Sequence, residues 1–85
     1  MDISRDEQRA LHALAQGGAI VPVKDEKGRM IAAELFNREG WRVPAFTLLL
    51  FKKLKYKKAI ASRRSEPYRI TRRGLELVRS EVDNR

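Results

Sequence analysis

Thr47-Leu48-Leu49-Leu50-Phe51-Lys52-Lys53-Leu54-Lys55-Tyr56-Lys57-Lys58, then Ala59-Ile60-Ala61-Ser62, Arg63-Arg64-Ser65-Glu66-Pro67 and Tyr68-Arg69-Ile70-Thr71, is the stretch that decides the fold. The first run reads as a helix. At 100° per residue Phe46, Leu50, Phe51 and Leu54 group on one face, and Lys52, Lys55 and Tyr56 fall on the other with Lys53 and Leu49 beside them. The second run turns extended, the third is a polar loop, and the fourth returns as a strand. Thr71 then supplies the N-cap of a closing helix. The apolar stripe of that helix is Leu75, Val78 and Val82, with Leu77 on another side. A helix, a hairpin tipped by two arginines and a second helix therefore follow one another directly.

Upstream, Ser4-Arg5-Asp6-Glu7 has the spacing of a capping box, in which Ser4 Oγ accepts from the Glu7 amide and the Glu7 carboxylate from the Ser4 amide. Leu11, Leu14 and Ala15 continue a helix over Arg5–Gln16, and Gly17-Gly18 offers a left-handed end. Ile20-Val21-Pro22-Val23, the turn Asp25-Glu26-Lys27-Gly28 and the alternating run Met30 to Phe36 form a hairpin. Ile31, Ala33 and Leu35 share its inner face, and Pro22 marks an edge strand. After the turn Asn37-Arg38-Glu39-Gly40, Trp41-Arg42-Val43 is a candidate third strand. Trp41, the sole tryptophan, is expected to be largely buried against the next helix; the alternative is an exposed ring that stacks on a partner. The terminal Asp83-Asn84-Arg85 is expected to fray. The fold class is α+β, one domain over residues 1–85, in the order α-β-β-(β)-α-β-β-α.

Composition narrows the chemistry. A chain of 85 residues buries only about 60–65% of its unfolded surface, so the core is small. Without cysteine there are no disulfides, no thiolate metal sites and no thiol nucleophile. The single histidine, His12, lies beside the apolar stripe of the first helix and reads as a surface residue. No metal site or cofactor is expected. The glutamates are scattered over different elements and the glycines form no phosphate loop, so an enzyme is not expected. No apolar run approaches the ~18 residues of a membrane span, and residues 1–6 lack the apolar region of a signal peptide. A cytoplasmic protein with no membrane contact is the expectation.

The net charge of +8 is unevenly spread. Residues 1–39 carry six Lys/Arg against seven Asp/Glu, and residues 66–85 carry five against four. Residues 40–65 carry eight Lys/Arg and no acid, so the whole excess sits there. So local a field suits a polyanion or an acidic protein surface, or else serves solubility.

Pro67-Tyr68-Arg69-Ile70-Thr71-Arg72-Arg73-Gly74 resembles the wing-to-helix junction of winged-helix domains. That likeness implies a winged-helix-like fold with residues 47–58 as the recognition-helix equivalent and Arg63-Arg64 as the wing tip. Nearly end to end, the chain also resembles the small YjhX family of bacterial toxins, described as inhibitors of DNA topoisomerase I. The likeness rests on the length, on Ser4-Arg5-Asp6-Glu7-Gln8 with Leu11-His12-Ala13-Leu14-Ala15, and on Arg38-Glu39-Gly40. It rests further on Phe51-Lys52-Lys53-Leu54-Lys55, Pro67-Tyr68-Arg69-Ile70, Gly74-Leu75 and Asp83-Asn84-Arg85. It implies a toxin that binds topoisomerase I and blocks its handling of DNA, relieved by a cognate antitoxin. It carries no functional residue onto this chain.

The site assignments are physical. Lys52, Lys53, Lys55, Tyr56, Lys57, Lys58, Arg63 and Arg64 are the candidate surface for a polyanion or a partner. Base readout uses long polar side chains at the first turns of a recognition helix. Here those turns are Pro44-Ala45-Phe46-Thr47-Leu48-Leu49, so any DNA contact is expected to be to the backbone. Leu48 and Leu49 lie off the stripe. They are extra core under the hairpin or an apolar contact with a protein partner.

Overall fold

The computed structural model describes the backbone of residues 3–83 and the side chains as far as Arg79. Helix α1 (Arg5–Ala15) leads into strands β1 (Ala19–Lys24) and β2 (Met30–Phe36), then helix α2 (Leu48–Tyr56), strands β3 (Ile60–Ala61) and β4 (Arg69–Ile70), and helix α3 (Arg72–Asp83). The α+β order is the expected one without the bracketed strand. Trp41-Arg42-Val43 makes a single antiparallel bridge, Arg42 to Phe36, and a hydrogen bond from the Val43 amide to the Leu35 carbonyl at 2.7 Å. Pro44 follows at once and cannot extend a ladder.

The capping box at Ser4 is present, with both reciprocal bonds (2.9 and 3.1 Å). α1 ends as its glycines predict. The Gly17 amide donates to the Leu14 carbonyl and the Gly18 amide to that of Ala13, with Gly17 at φ 110°, a Schellman motif. α2 ends the same way without a glycine. Lys58 takes φ 60°, its amide donates to the Lys55 carbonyl, and the Ala59 amide donates to that of Leu54. Thr47 is the N-cap of α2, its Oγ1 accepting from the Leu50 amide. The helix is thus shorter at both ends than the expected residues 47–58, because Thr47 is its N-cap, Lys57 its C-cap, and Lys58 the left-handed residue after it.

The β1–β2 turn is built around Asp25, whose Oδ1 accepts from the amides of Lys27 and Arg29, with Gly28 at φ 80°. Those amides hold the Asp25 carboxyl below its ordinary pKa, the Arg29 amide most strongly. Pro22 sits in β1, which pairs along its length with β2; on the other side of β1 the bridge is at Ile20, to Tyr68. The register slips between Val23 and Lys24, which pair with Ala32 and Met30. Ile31 falls in that slip and is 58% exposed. It is a bulge residue, and only Ala33 and Leu35 of the expected inner face are buried.

β3 and β4 are two residues each, yet the second hairpin is tied into the first. The Ile20 amide donates to the Tyr68 carbonyl at 2.9 Å and the Tyr68 amide returns a bond at 2.8 Å. The core gathers Ile3, Leu11 and Leu14 from the first helical segment, Ile20, Ala33 and Leu35 from the hairpin, and Phe51 and Leu54 from α2. Ala59, Ile60, Leu77 and Val78 complete it. Burying a leucine or isoleucine contributes roughly 1.5–3 kcal/mol, so Leu11, Ile20, Leu35 and Leu54, the largest fully buried side chains, dominate stability. Leu77, placed off the stripe by helical spacing, is buried beside Val78, while Leu75 is half-buried. α3 packs on α1 and on β4, and its buried residues Gly74, Leu77 and Val78 share one i, i+3, i+4 face shifted from the stripe read from sequence. Val82 belongs to the undescribed side chains; of the three terminal residues expected to fray, Asp83 is the last residue of α3, and Asn84 and Arg85 lie outside the described residues.

Trp41 is 72% exposed, not buried. Asn37 accounts for this. Its Oδ1 accepts from the amides of Glu39 and Trp41, and its own amide donates to the Trp41 carbonyl. The tryptophan is pinned to the turn, and Val43 and Phe46 pack against the core in its place.

Candidate interaction surface

α2 presents two unlike faces because its apolar residues recur at helical spacing. Leu50, Phe51 and Leu54 point into the core. Leu49, Lys52, Lys53 and Tyr56, spaced i, i+3, i+4, i+7, form the opposite, exposed strip. Leu49 is 63% exposed and Tyr56 86%. The two leucines left open by sequence therefore part company: Leu48 is half-buried against the core and Leu49 faces solvent.

The remaining cations have different surroundings. Lys55 is exposed, but its Nζ lies 6.0 Å from the centre of the Phe51 ring and 5.8 Å from that of Tyr68. Those rings meet edge to face at 4.9 Å, so Lys55 covers the aromatic contact that joins α2 to the second hairpin. Lys58, Arg63 and Arg64 are exposed. Arg64 and Ser65 both take positive φ (54° and 65°), and the Glu66 amide closes onto the Arg63 carbonyl at 3.0 Å. This is the backbone of a type I′ hairpin turn, built without the Asn-Gly that such turns favour.

Lys57 does not belong with the displayed group. Its Nζ donates to Glu7 Oε2 at 2.6 Å, and both side chains are largely buried. Glu7 is the buried charged residue among those described. Burial pushes its carboxyl up, but hydrogen bonds from Lys57 and from Ser4 outweigh this and hold it below its ordinary value. Sequence reading placed Lys57 with its neighbouring lysines because nothing local distinguishes it. Glu7 is fifty residues away, and the capping box accounted for Glu7 without Lys57.

Arg69, absent from the candidate set, reaches across to the carbonyls of Gly17 and Gly18 at 3.1 and 3.2 Å, at the end of α1. Thr71 Oγ1 donates to the Lys58 carbonyl at 2.7 Å and accepts from the Gly74 amide. Gly74 lies so close to Ala59 that a Cβ would overlap its carbonyl oxygen and stand 2.6 Å from Ile70 Cγ1. His12 is exposed. Among the described residues no three acidic or histidine side chains converge as a metal site, and no helix is long and apolar enough to cross a membrane.

The profile of a family described as "putative toxin of bacterial toxin-antitoxin pair" matches residues 1–85. The chain belongs to the YjhX toxin family. It is 60% identical over 85 residues to a UPF0386 protein of Chelativorans, covering all of both chains. It is 58% identical over 84 residues to one of Hyphomonas neptunium, covering 99% of each, and 58% identical over 85 residues to one of Rhizobium rhizogenes, again over both full lengths. No solved structure matches the chain. The winged-helix likeness, drawn from residues 67–74 and the order of elements, is not confirmed by a structural relative. Membership in a toxin–antitoxin family implies a cognate antitoxin as a partner.

Proposed function

We propose that this chain is a toxin that binds DNA topoisomerase I and blocks its action on DNA, by contact rather than by catalysis. The topoisomerase comes from the family likeness. The surface comes from one observation: Lys52, Lys53, Lys58, Arg63 and Arg64 are all exposed on a stretch, residues 40–65, that contains no acid. An enzyme that handles DNA combines acidic protein surface with bound polyanion, and a basic face can engage either. Relaxation of supercoiled plasmid by topoisomerase I, with and without the protein, is the test. Inhibition that survives in the presence of excess competitor duplex supports direct engagement of the enzyme; no inhibition sinks the reading.

A second reading has its own support. The same cations can neutralise phosphates on duplex DNA, and the first turn of α2 has no long polar side chain for base readout. Binding would then be sequence-tolerant, with each phosphate contact adding roughly −0.9 to the log–log salt slope. Titration of unrelated duplexes at two salt concentrations tests it; affinity indifferent to salt rules it out.

A further inference from the structure

We infer that the exposed strip of α2, Leu49-Lys52-Lys53-Tyr56, is a docking site for the cognate antitoxin, and that it takes an acidic amphipathic helix. A phosphate backbone has use for the two ammonium groups but leaves Leu49, 63% exposed at one end of the strip, with nothing to contact. A protein helix uses all four positions. The strip is about 10 Å long, at 1.5 Å per residue over seven residues, and lies along a single helix face. Its complement is another helix bearing two apolar side chains about two turns apart, with two carboxylates between them. Leu49 and Tyr56 bury apolar surface at the ends, and tyrosine is among the residues that most often dominate interface energy. Lys52 and Lys53 fix register through charge.

Charge complementarity selects the occupant. The surface lies in a stretch of residues 40–65 with eight cations and no acid, so an acidic partner is favoured. A second copy of this chain would set Lys52 and Lys53 against their own equivalents, which is repulsive. The partner the family implies is the antitoxin. Its occupation of this strip would cover the basic face used in the reading above, so one contact would both bind and neutralise. The inference concerns the antitoxin and does not depend on the toxin's target.

The test uses the full-length toxin and its purified cognate antitoxin, with the dissociation constant measured in the absence of topoisomerase. Leu49→Ala and Tyr56→Ala are each expected to weaken the complex at least about tenfold. Lys52→Glu with Lys53→Glu should weaken it further, while Arg5→Glu with Arg9→Glu changes it less than about twofold. Replacing the two facing acids of the antitoxin by lysine should restore binding to the Lys52/Lys53 variant. Thermal unfolding of each variant separates lost contact from lost fold. If only the lysine pair matters and a short random-sequence duplex displaces the antitoxin, the strip is a polyanion site and the inference is wrong. It is equally overturned if none of the three variants weakens the complex. Either result leaves plasmid relaxation free to support or sink the proposed inhibition on its own.

Discussion

The two hairpins of this fold are held together in opposite ways. The first is built from within. It has a ladder from Ala19 to Lys24, an aspartate that takes two turn amides, and a glycine where φ reaches 80°. The second has two-residue strands and places Arg64 and Ser65 at positive φ, where a side chain costs energy. It is built from outside. Tyr68 bridges to Ile20, Arg69 binds the end of α1, Thr71 binds the Lys58 carbonyl, and Gly74 lets α3 close on Ala59. A turn supported externally need not carry the residues that best stabilise a turn. It is free to carry arginines, and this one does.

The largest way to break that comparison is Gly74→Ala. The new methyl overlaps the Ala59 carbonyl, backbone that cannot swing aside. Any gain in helix propensity is outweighed, and a loss of about 3 kcal/mol is expected. For a domain this size that lowers the melting temperature by about 12–24 °C. Gly28→Ala in the first hairpin meets no atom within 4 Å and suffers only the strain of its φ, about 1 kcal/mol. Thermal denaturation of both compares the two supports directly. Equal losses would mean that the second hairpin does not depend on its outer contacts.

Next in size is the tie between α1 and the helix that feeds the second hairpin. Glu7→Gln keeps an acceptor for the Ser4 amide but removes the buried charge that the Lys57 ammonium meets at 2.6 Å, costing about 2 kcal/mol by chemical unfolding. The Glu7 carboxyl is held below the 4.5 of an ordinary glutamate. Its contribution is therefore complete at neutral pH and is lost as pH falls from about 4.5 through the lowered value. The wild type should lose stability over that window more steeply than the glutamine variant. Parallel acid profiles would show that the pair does not supply this stability.

A smaller and opposite effect belongs to the strained turn. Arg64→Asn with Ser65→Gly supplies the residues a type I′ turn favours and should stabilise by about 1 kcal/mol. The same change should weaken whatever the basic face binds, since it removes a displayed charge. Stabilisation without loss of binding would mean that Arg64 is not displayed for a partner.

These contrasts also show what could be read from the chain. Elements set by local chemistry were legible: the Ser4 capping box, the Gly17-Gly18 helix end, the Asp25–Gly28 turn, and the core face of Leu50, Phe51 and Leu54. What failed was decided at a distance or by competition. Trp41 is the largest apolar side chain in its loop, yet an asparagine four residues back pins its backbone at the turn and Val43 takes the place against the core. Leu77 lies off the Leu75–Val78–Val82 stripe but is buried because the inward face of α3 is centred on Gly74, Leu77 and Val78, with Gly74 set close against Ala59. Ile31 alternates correctly and still emerges into solvent at a bulge that no periodicity signals. Within the candidate surface, sequence located the basic stretch but could not sort it. Lys57, Lys55 and Lys52 look alike until one is found on a buried carboxylate, one over two rings, and one in solvent.

That sorting yields the smallest stability effect and the clearest functional one. Lys52 and Lys53 occupy the exposed strip of α2, opposite Leu50, Phe51 and Leu54. Exposed charge changes usually alter stability by no more than about 0.5 kcal/mol, so Lys52→Glu with Lys53→Glu should melt nearly as the wild type does. Lys55 is unsuited to this pair, because its reversal would also disturb the Phe51–Tyr68 contact it covers. The control is Arg5→Glu with Arg9→Glu on α1, where both arginines are exposed and the surrounding residues 1–39 are near neutral. Each substitution moves the charge by two, so either pair takes the net charge from +8 to +4. A general charge effect would therefore weaken inhibition of topoisomerase, or of growth, equally in both. Selective loss in the Lys52/Lys53 pair assigns the activity to the α2 face. If that pair unfolds instead, the two lysines belong with Lys57 among the supports, and the division between supporting and displayed cations fails.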